Sequence, residues 1–363
     1  MKLQDLIDAL HELAPAAYSE EYDNTGLLVK GNEELTGVLV SLDCTEAVID
    51  EAIEKKCNAV LAHHPILFKG IKRITGANYV ERTLLKAIRN NISIIAIHTS
   101  LDNVHTGVNA EICRKLRIQN PSILKPKSSL LSKLYTYVPL SYHQQVSDAL
   151  FAAGAGHIGN YSECSFTVEG QGTFKAGADT NPFVGEIGQR HTETEKKLEV
   201  IFPSHLQKHV LEALRKSHPY EEIAYEIIAL QNSHPLVGSG MVGNLSAPID
   251  VQEFLQGVKH ALGVPVIRHT APVKKTVQRI AVCGGAGFFL LQDAIQAGAE
   301  VFITSDVKYH DFFDADGKIL LADAGHFETE QFTKDLLAHE IQKKFPTFAV
   351  LISNTNTNPV NYL

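Results

Sequence analysis

Three short motifs in this chain combine imidazole and carboxylate groups at spacings that suit metal chemistry. His63 and His64 are adjacent at the end of the apolar run AVLAHHP, while His98-x-x-x-Asp102 and His326-x-x-x-Glu330 follow the apolar runs SIIAI and ILLADA. Neighbouring side chains on a strand face opposite ways. Where the strand ends and the chain turns, two adjacent imidazoles can reach two different ions. Residues four apart share one helix face, so His326 and Glu330 can address one point. A histidine nitrogen beside a carboxylate is a normal pair for zinc, iron or manganese. HTSLD is either a helical turn or a loop. Asp102 is its expected direct ligand, and His98 is either a ligand or a group that orients one. In open α/β sheets, sites lie outside the carboxyl ends of strands. Together, His63, His64, Asp102, His326 and Glu330 suit two divalent ions about 3.5–4 Å apart with a bridging carboxylate.

Other polar residues fall near the same strand ends. Asp23, Asn24 and Gly26 precede an apolar run, and Asp306, Lys308 and His310 follow one. Lys308 is a candidate to hold an anion and His310 to move a proton; ordinary turn composition is the plainer account. Gly284 to Gly287 (GGAG) offers backbone N–H groups that could receive an anion. It is neither a Walker A sequence nor a full dinucleotide fingerprint.

The elements that must position these groups are legible as alternating runs. VLVSLD from Val38 reads as a buried strand, TEAVIDEAIEKKC as a helix with Thr45 or Asp43 near its N-cap, and AVLAHH as a second strand. YVERTLLKAIRNN is a helix and SIIAIHTSLDN a third strand. The rhythm implies a parallel sheet covered by helices. It returns in RIAVCGGAG, FFLLQDAIQAG, AEVFITSD and KILLADAGHFETE. Val38–His64 aligns with Ile280–Asp306 without a gap, which points to two similar α/β halves sharing one site. Residues 126–232 differ and read as β-α-β-β-α-β, the ferredoxin-like order. KPKSS (Lys125–Ser129) and QNSHP (Gln231–Pro235) read as polar, proline-bearing boundaries. The expected organisation is therefore 1–125, an inserted domain at 126–232, and 233–363. In the insert, GAGHIGNYSECSF, NPFVGEIG and HPYEE are dense in Gly, Asn and aromatic residues. His157, His218 and Glu222 are its candidate binding groups, turn formation and packing being the plainer reading.

Composition sets the outer bounds. The 363 residues are 44% hydrophobic, enough for more than one core. A formal net charge of −8 argues against a general grip on nucleic acid. The five cysteines are scattered and form no C-x-x-C, which fits a reducing compartment rather than a disulfide framework. The opening MKLQDLIDALHEL is an amphipathic helix with acidic residues, not a secretory signal. No apolar run approaches membrane-spanning length. A cytoplasmic protein is expected.

The motifs SLDCTEAVIDEAI, HHPILFKG, IHTSLDN, TSDVKYHD and GHFETE resemble the set that marks the NIF-three-like family, whose members carry the label GTP cyclohydrolase 1 type 2 homologue. The resemblance covers the whole chain. GAGHIGNYSECSF, NPFVGEIG and HPYEE resemble the insert of its longer bacterial members, a domain similar in fold to PII and CutA proteins. The resemblance implies two α/β halves around a dinuclear metal centre. Carried over by motif, the ligands fall on His63, His64, Asp102, His326 and Glu330, with Glu330 as the bridge. It also implies a toroidal homohexamer and two divalent ions per subunit, zinc or iron first, with manganese or magnesium as further options.

Two functions follow as expectations. One is a metal-dependent hydrolase acting on GTP or another nucleotide or phosphoester, with His98 or His310 in proton transfer and Lys308 at the phosphates. The other is a non-enzymatic metal-binding regulator or scaffold whose insert senses a small molecule or partner.

Overall fold

The computed structural model describes residues 1–363. The chain divides into two compact units, one formed by Met1–Lys125 with Leu236–Leu363 and the other by Pro126–Pro235. No helix is long and apolar enough to cross a membrane.

The first unit holds two sheets. In one, the strands Val38–Ser41, Ala59–Ala62 and Ser93–Ala96 run parallel, and every residue in them is buried. Burial on both faces explains why these strands are continuous apolar runs rather than alternating ones. Gly26–Val29 closes one edge antiparallel and Val350–Ile352 the other edge parallel. In the second sheet, Thr276–Val282, Val301–Thr304 and Leu320–Asp323 are the parallel strands. Arg268–His269 flanks them on one side, and Ser233–Asp250 followed by Gln119–Ser128 on the other.

The two sheets repeat one another in register. Val38 pairs with Ala59 in the first and Ile280 with Val301 in the second, so the same sequence offset holds for both strands of each pair. The intervening helices match as well: Glu46–Glu54 corresponds to the helical stretch Phe288–Gln296. Val48, Ile49 and Ala52 bury one face of the first helix against its sheet; Leu290, Leu291 and Ala294 do so in the second. Thr45 is the N-cap of the first, accepting from the Val48 N–H, which leaves Asp43 free for another task.

Two features were not read from the sequence. Strand Gln119–Ser128 extends into KPKSS, and strand Ser233–Asp250 begins inside QNSHP. Gln119–Ser128 is a largely exposed sheet edge, which needs no run of apolar residues, so the hydrophobic pattern hides it. The halves also exchange strands. Gln119–Ser128 lies in the second sheet, and Val350–Ile352 in the first.

The second unit is an antiparallel sheet ordered Ser165–Lys175, Arg190–Pro203, Leu131–Pro139, Tyr225–Leu230. Helices His143–Ala152 and Gln207–Ser217 complete the ferredoxin-like β-α-β-β-α-β order. Its core joins Val146, Leu150, Val210 and Leu214 of the helices to Leu134, Leu198 and Phe202 of the strands.

After Ile352 the chain forms an extended tail fastened by one carboxylate. Glu51 accepts from Ser353 Oγ at 2.5 Å, Asn354 N at 2.8 Å and Thr355 Oγ1 at 2.7 Å, and pairs with Lys55. Burial opposes ionisation of Glu51, but these donors outweigh it and lower its pKa from 4.5 to about 2. The stabilisation is therefore complete above pH 4.5 and is lost as pH falls toward 2. Glu51→Ala is expected to cost about 1–3 kcal/mol and to raise hydrogen exchange at 354–363. Unchanged exchange there would refute the anchoring role.

Candidate metal centre

The strand ends of both sheets open on a cavity of about 880 Å³. Three of the histidines there are fixed in the same way. His64 Nδ1 meets Asp43 at 2.7 Å, His98 Nδ1 meets Asp23 at 2.7 Å, and His326 Nδ1 meets Asp306 at 2.7 Å. An Nδ1–H donated to a carboxylate sets the ring's orientation and leaves Nε2 to face a ligand. The aspartates are themselves held. Thr357 Oγ1 donates to Asp43 at 2.5 Å, and Thr99 donates to Asp23 through both its backbone N–H and its hydroxyl.

Glu330 is the convergence point. Its Oε2 lies 2.9 Å from His64 Nε2, 3.1 Å from His326 Nε2 and 3.9 Å from His63 Nε2. His63 is wholly buried, and neither of its ring nitrogens has a hydrogen-bond partner. Its Nε2 is 3.5 Å from Asp102 Oδ1, which is equally buried and equally unpartnered. Such atoms are costly to bury unless something binds them. His63, His64 and Glu330 bring one donor atom each within 4.8 Å of one another. The donor types and the orphaned atoms both fit a metal ion.

Local backbone makes this approach feasible. Helices His98–Asp102 and His326–Glu330 each begin right after a buried strand, which puts their residues at the cavity floor. The stretch HTSLD is thus a helical turn. Gly285 adopts φ +59, and a Cβ there would sit 2.3 Å from Glu330 Oε1. GGAG serves this packing rather than an anion. The N–H of Gly284 donates to Asn109 Oδ1, that of Gly285 to Thr329 Oγ1, and that of Gly287 to Thr304 Oγ1.

Charge is sharply divided among the donors. Burial opposes protonation of His64 and His326, but Asp43, Asp306 and Glu330 outweigh it and raise them to about 10 and about 11. Burial dominates at His63 and lowers it to about 4. Burial is opposed at Glu330 by its three imidazole neighbours, which hold its pKa well below the carboxylate range. Burial and the Glu330 charge push Asp102 the other way, well above it.

Of the sequence candidates, His64, His98, Asp102, His326 and Glu330 line the cavity, with His63 behind its wall. The His98 ring lies 5.4 Å from that of His64 and 5.5 Å from that of His63. Lys308 and His310 do not line the cavity. They sit on and beside the exposed turn Tyr309–Ala315, where His310 stacks on Phe313 and meets Tyr309 edge-on. The chain reverses at Asp306, φ +54, so that Asp306 faces His326 while the following residues leave the strand end. The aspartates that hold the histidines were not assigned that role from the sequence. The only local signal is an acid at a strand's carboxyl end in SLD and TSD. The cavity wall also includes Asn358, Pro359, Val360 and Tyr362 of the tail.

Two strand-end ligand clusters, one from each of two matching parallel sheets, define an α/β protein with a candidate metal centre. Known sequences make the assignment specific. The chain belongs to the Duf34/NIF3 (NGG1p interacting factor 3) family, whose profile matches residues 1–359. It is 37% identical over 367 residues to a Bacillus subtilis protein named GTP cyclohydrolase 1 type 2 homolog, covering 99% of this chain and 98% of that one. Among solved structures, a Bacillus cereus protein related to NIF3 matches 100% of this chain and 99% of its own, with TM-score 0.87 and 32% identity. A Staphylococcus aureus protein matches with TM-score 0.78 and 30% identity over the same shares.

Metal loading should release protons. His64, His326 and Asp102 carry raised pKa values, and each must give up its proton to act as a ligand. Zinc titrations in buffers of different ionisation enthalpy are expected to show about two or more protons released at pH 7, and affinity rising with pH. Proton-neutral binding would contradict the charge assignment.

Proposed function

We propose that this chain is a dinuclear metal-dependent hydrolase acting on a nucleotide or phosphoester. The observation that carries the reading is Glu330 Oε2 ringed by three imidazole Nε2 atoms beside an 880 Å³ cavity. His63, Asp102 and Glu330 would hold one ion, and His64, His326 and Glu330 the other, with Glu330 shared. Three nitrogens and two carboxylates favour zinc, iron or manganese over magnesium, which prefers oxygen. Two such ions supply a nucleophilic water of pKa near 7 and an electrostatic clamp on the reacting group.

The protein's own groups supply the rest. Asp43 and Asp306 keep His64 and His326 aimed at Glu330. His98, held by Asp23, presents Nε2 to the cavity and would accept or return a proton at the reacting atoms. Phe68 packs edge-on against His98 at the cavity wall, 5.8 Å between ring centres.

The lining also bears on the substrate. Seven carboxylates face the cavity, and its one lysine or arginine, Arg268, is paired with Asp323. With His64 and His326 engaged by metal, a triphosphate would find no free lysine or arginine in the lining. A singly charged phosphoester is favoured over GTP on this ground. By family resemblance, six chains would assemble into a toroid.

The test is turnover by metal-loaded protein on GTP, bis-p-nitrophenyl phosphate and p-nitrophenyl phosphate. Metal-dependent cleavage of a phosphoester, reduced at least about 100-fold in Glu330→Gln, is expected, with weaker formate release from GTP. Absence of turnover on every substrate, or an unaffected Glu330→Gln, defeats the hydrolase reading. Light scattering should give six times the 39.8 kDa chain mass; a monomer or dimer would remove the toroid.

A further inference from the structure

The second unit contains a cavity of its own, about 650 Å³, whose lining residues all lie between Tyr137 and Ala224. Aromatic rings dominate its wall: Tyr137, Phe174, Phe183 and Tyr220, with Tyr220 centred 6.1 Å from Phe183 and 6.3 Å from Phe174. Among these rings sits Glu195. It is only 9% exposed, and the neighbour that bears on it is the neutral Tyr220 hydroxyl, whose pKa burial and then Glu195 raise. Its carboxylate rests on Gly172, where a Cβ would lie 2.2 Å from Oε2. The glycine thus makes room for a buried charge. The Tyr220 hydroxyl is buried beside it, without a well-formed hydrogen bond to any other group of the chain.

Nearby cations do not neutralise this carboxylate. His218 donates from Nε2 to the Tyr137 carbonyl at 2.9 Å and accepts at Nδ1 from the Tyr220 N–H at 3.1 Å. Both ring nitrogens are used in the neutral form, and burial lowers its pKa further. Lys197 lies over the Tyr135 ring and pairs with Glu199 at 3.0 Å. Four glutamates line the cavity against two lysines. A buried carboxylate with no opposite charge paired to it, set within an aromatic wall, is poor for stability and well suited to receive positive charge.

We propose that this cavity binds a small organic cation, an ammonium or guanidinium group carried on an apolar body. Glu195 would pair with the cation, the Tyr220 hydroxyl would meet a polar atom of the ligand, and the rings would cover its apolar part by cation–π and hydrophobic contact. The site is independent of the metal centre and of the hydrolase reading.

Calorimetry on the full-length protein tests it with phenethylamine and agmatine as probes, and 2-phenylethanol and 3-phenylpropanoate as neutral and anionic counterparts. One amine should bind one-to-one, at least about tenfold tighter than either counterpart. Glu195→Gln should weaken the amine about tenfold or more and leave 2-phenylethanol unchanged, with the melting curve confirming a folded chain. Phe183→Ala should weaken both, and Glu330→Gln should change neither. The proposal is overturned if no amine binds, if the propanoate binds better, or if Glu195→Gln binds amine as the wild type does. It is equally overturned if the loss appears in Glu330→Gln, which would place the amine at the metal centre.

Discussion

One carboxylate oxygen governs the architecture of the first unit. Glu330 Oε2 is buried and draws three imidazoles around it. A buried charge is tolerated only where opposite charge or strong donors reach it. That requirement reaches outward. Gly285 takes a left-handed backbone without a Cβ so that the carboxylate fits. Asn109 then satisfies the Gly284 N–H from the other half of the chain, while its amide donates to the Asp102 carbonyl. The loop that admits Glu330 is therefore tied to the helical turn that carries Asp102.

The two halves are complementary rather than merely similar. The first contributes His63, His64 and Asp102, and the second His326 and Glu330. Neither half alone assembles the cluster, because its histidine pair and the Glu330 carboxylate come from different sheets. Strand exchange makes separation difficult. Val350–Ile352 pairs with Val38–Val40 in the first sheet, and Gln119–Ser128 edges the second. A cleft between interlocked sheets can hold like charges close together, since the packing of both cores resists their moving apart.

Much of this was legible in the sequence, and the limits have physical causes. Continuous apolar runs revealed the doubly covered strands, and a constant offset from Val38–His64 to Ile280–Asp306 pointed to two similar halves, whose strand pairs share that offset. The His and acid spacings marked the groups that meet at Glu330. The Asp23–His98, Asp43–His64 and Asp306–His326 pairs were not legible, because each acid is 20 or more residues from its partner and looks like turn chemistry. Lys308 and His310 looked well placed, but the backbone turns away at Asp306. GGAG looked like an anion cradle, yet the same missing Cβ atoms serve a carboxylate of the chain itself. Glycine-rich sequence shows that something approaches the backbone closely; it does not show what.

The tail links fold stability to the site. Glu51, on a surface helix, fixes Ser353–Thr355, and two residues on Thr357 donates to Asp43, which holds His64. Asn358 reaches Glu328 beside the same cavity. A helix-surface carboxylate is thus three hydrogen-bonded steps from a donor nitrogen. Because the aim of an imidazole depends on the group at its far nitrogen, loosening the tail would free Asp43 before it disturbed any core residue. The order of the site should therefore fail ahead of the fold. Its weakest joint lies in the exposed extended segment, not in the buried strands that lead into the histidines.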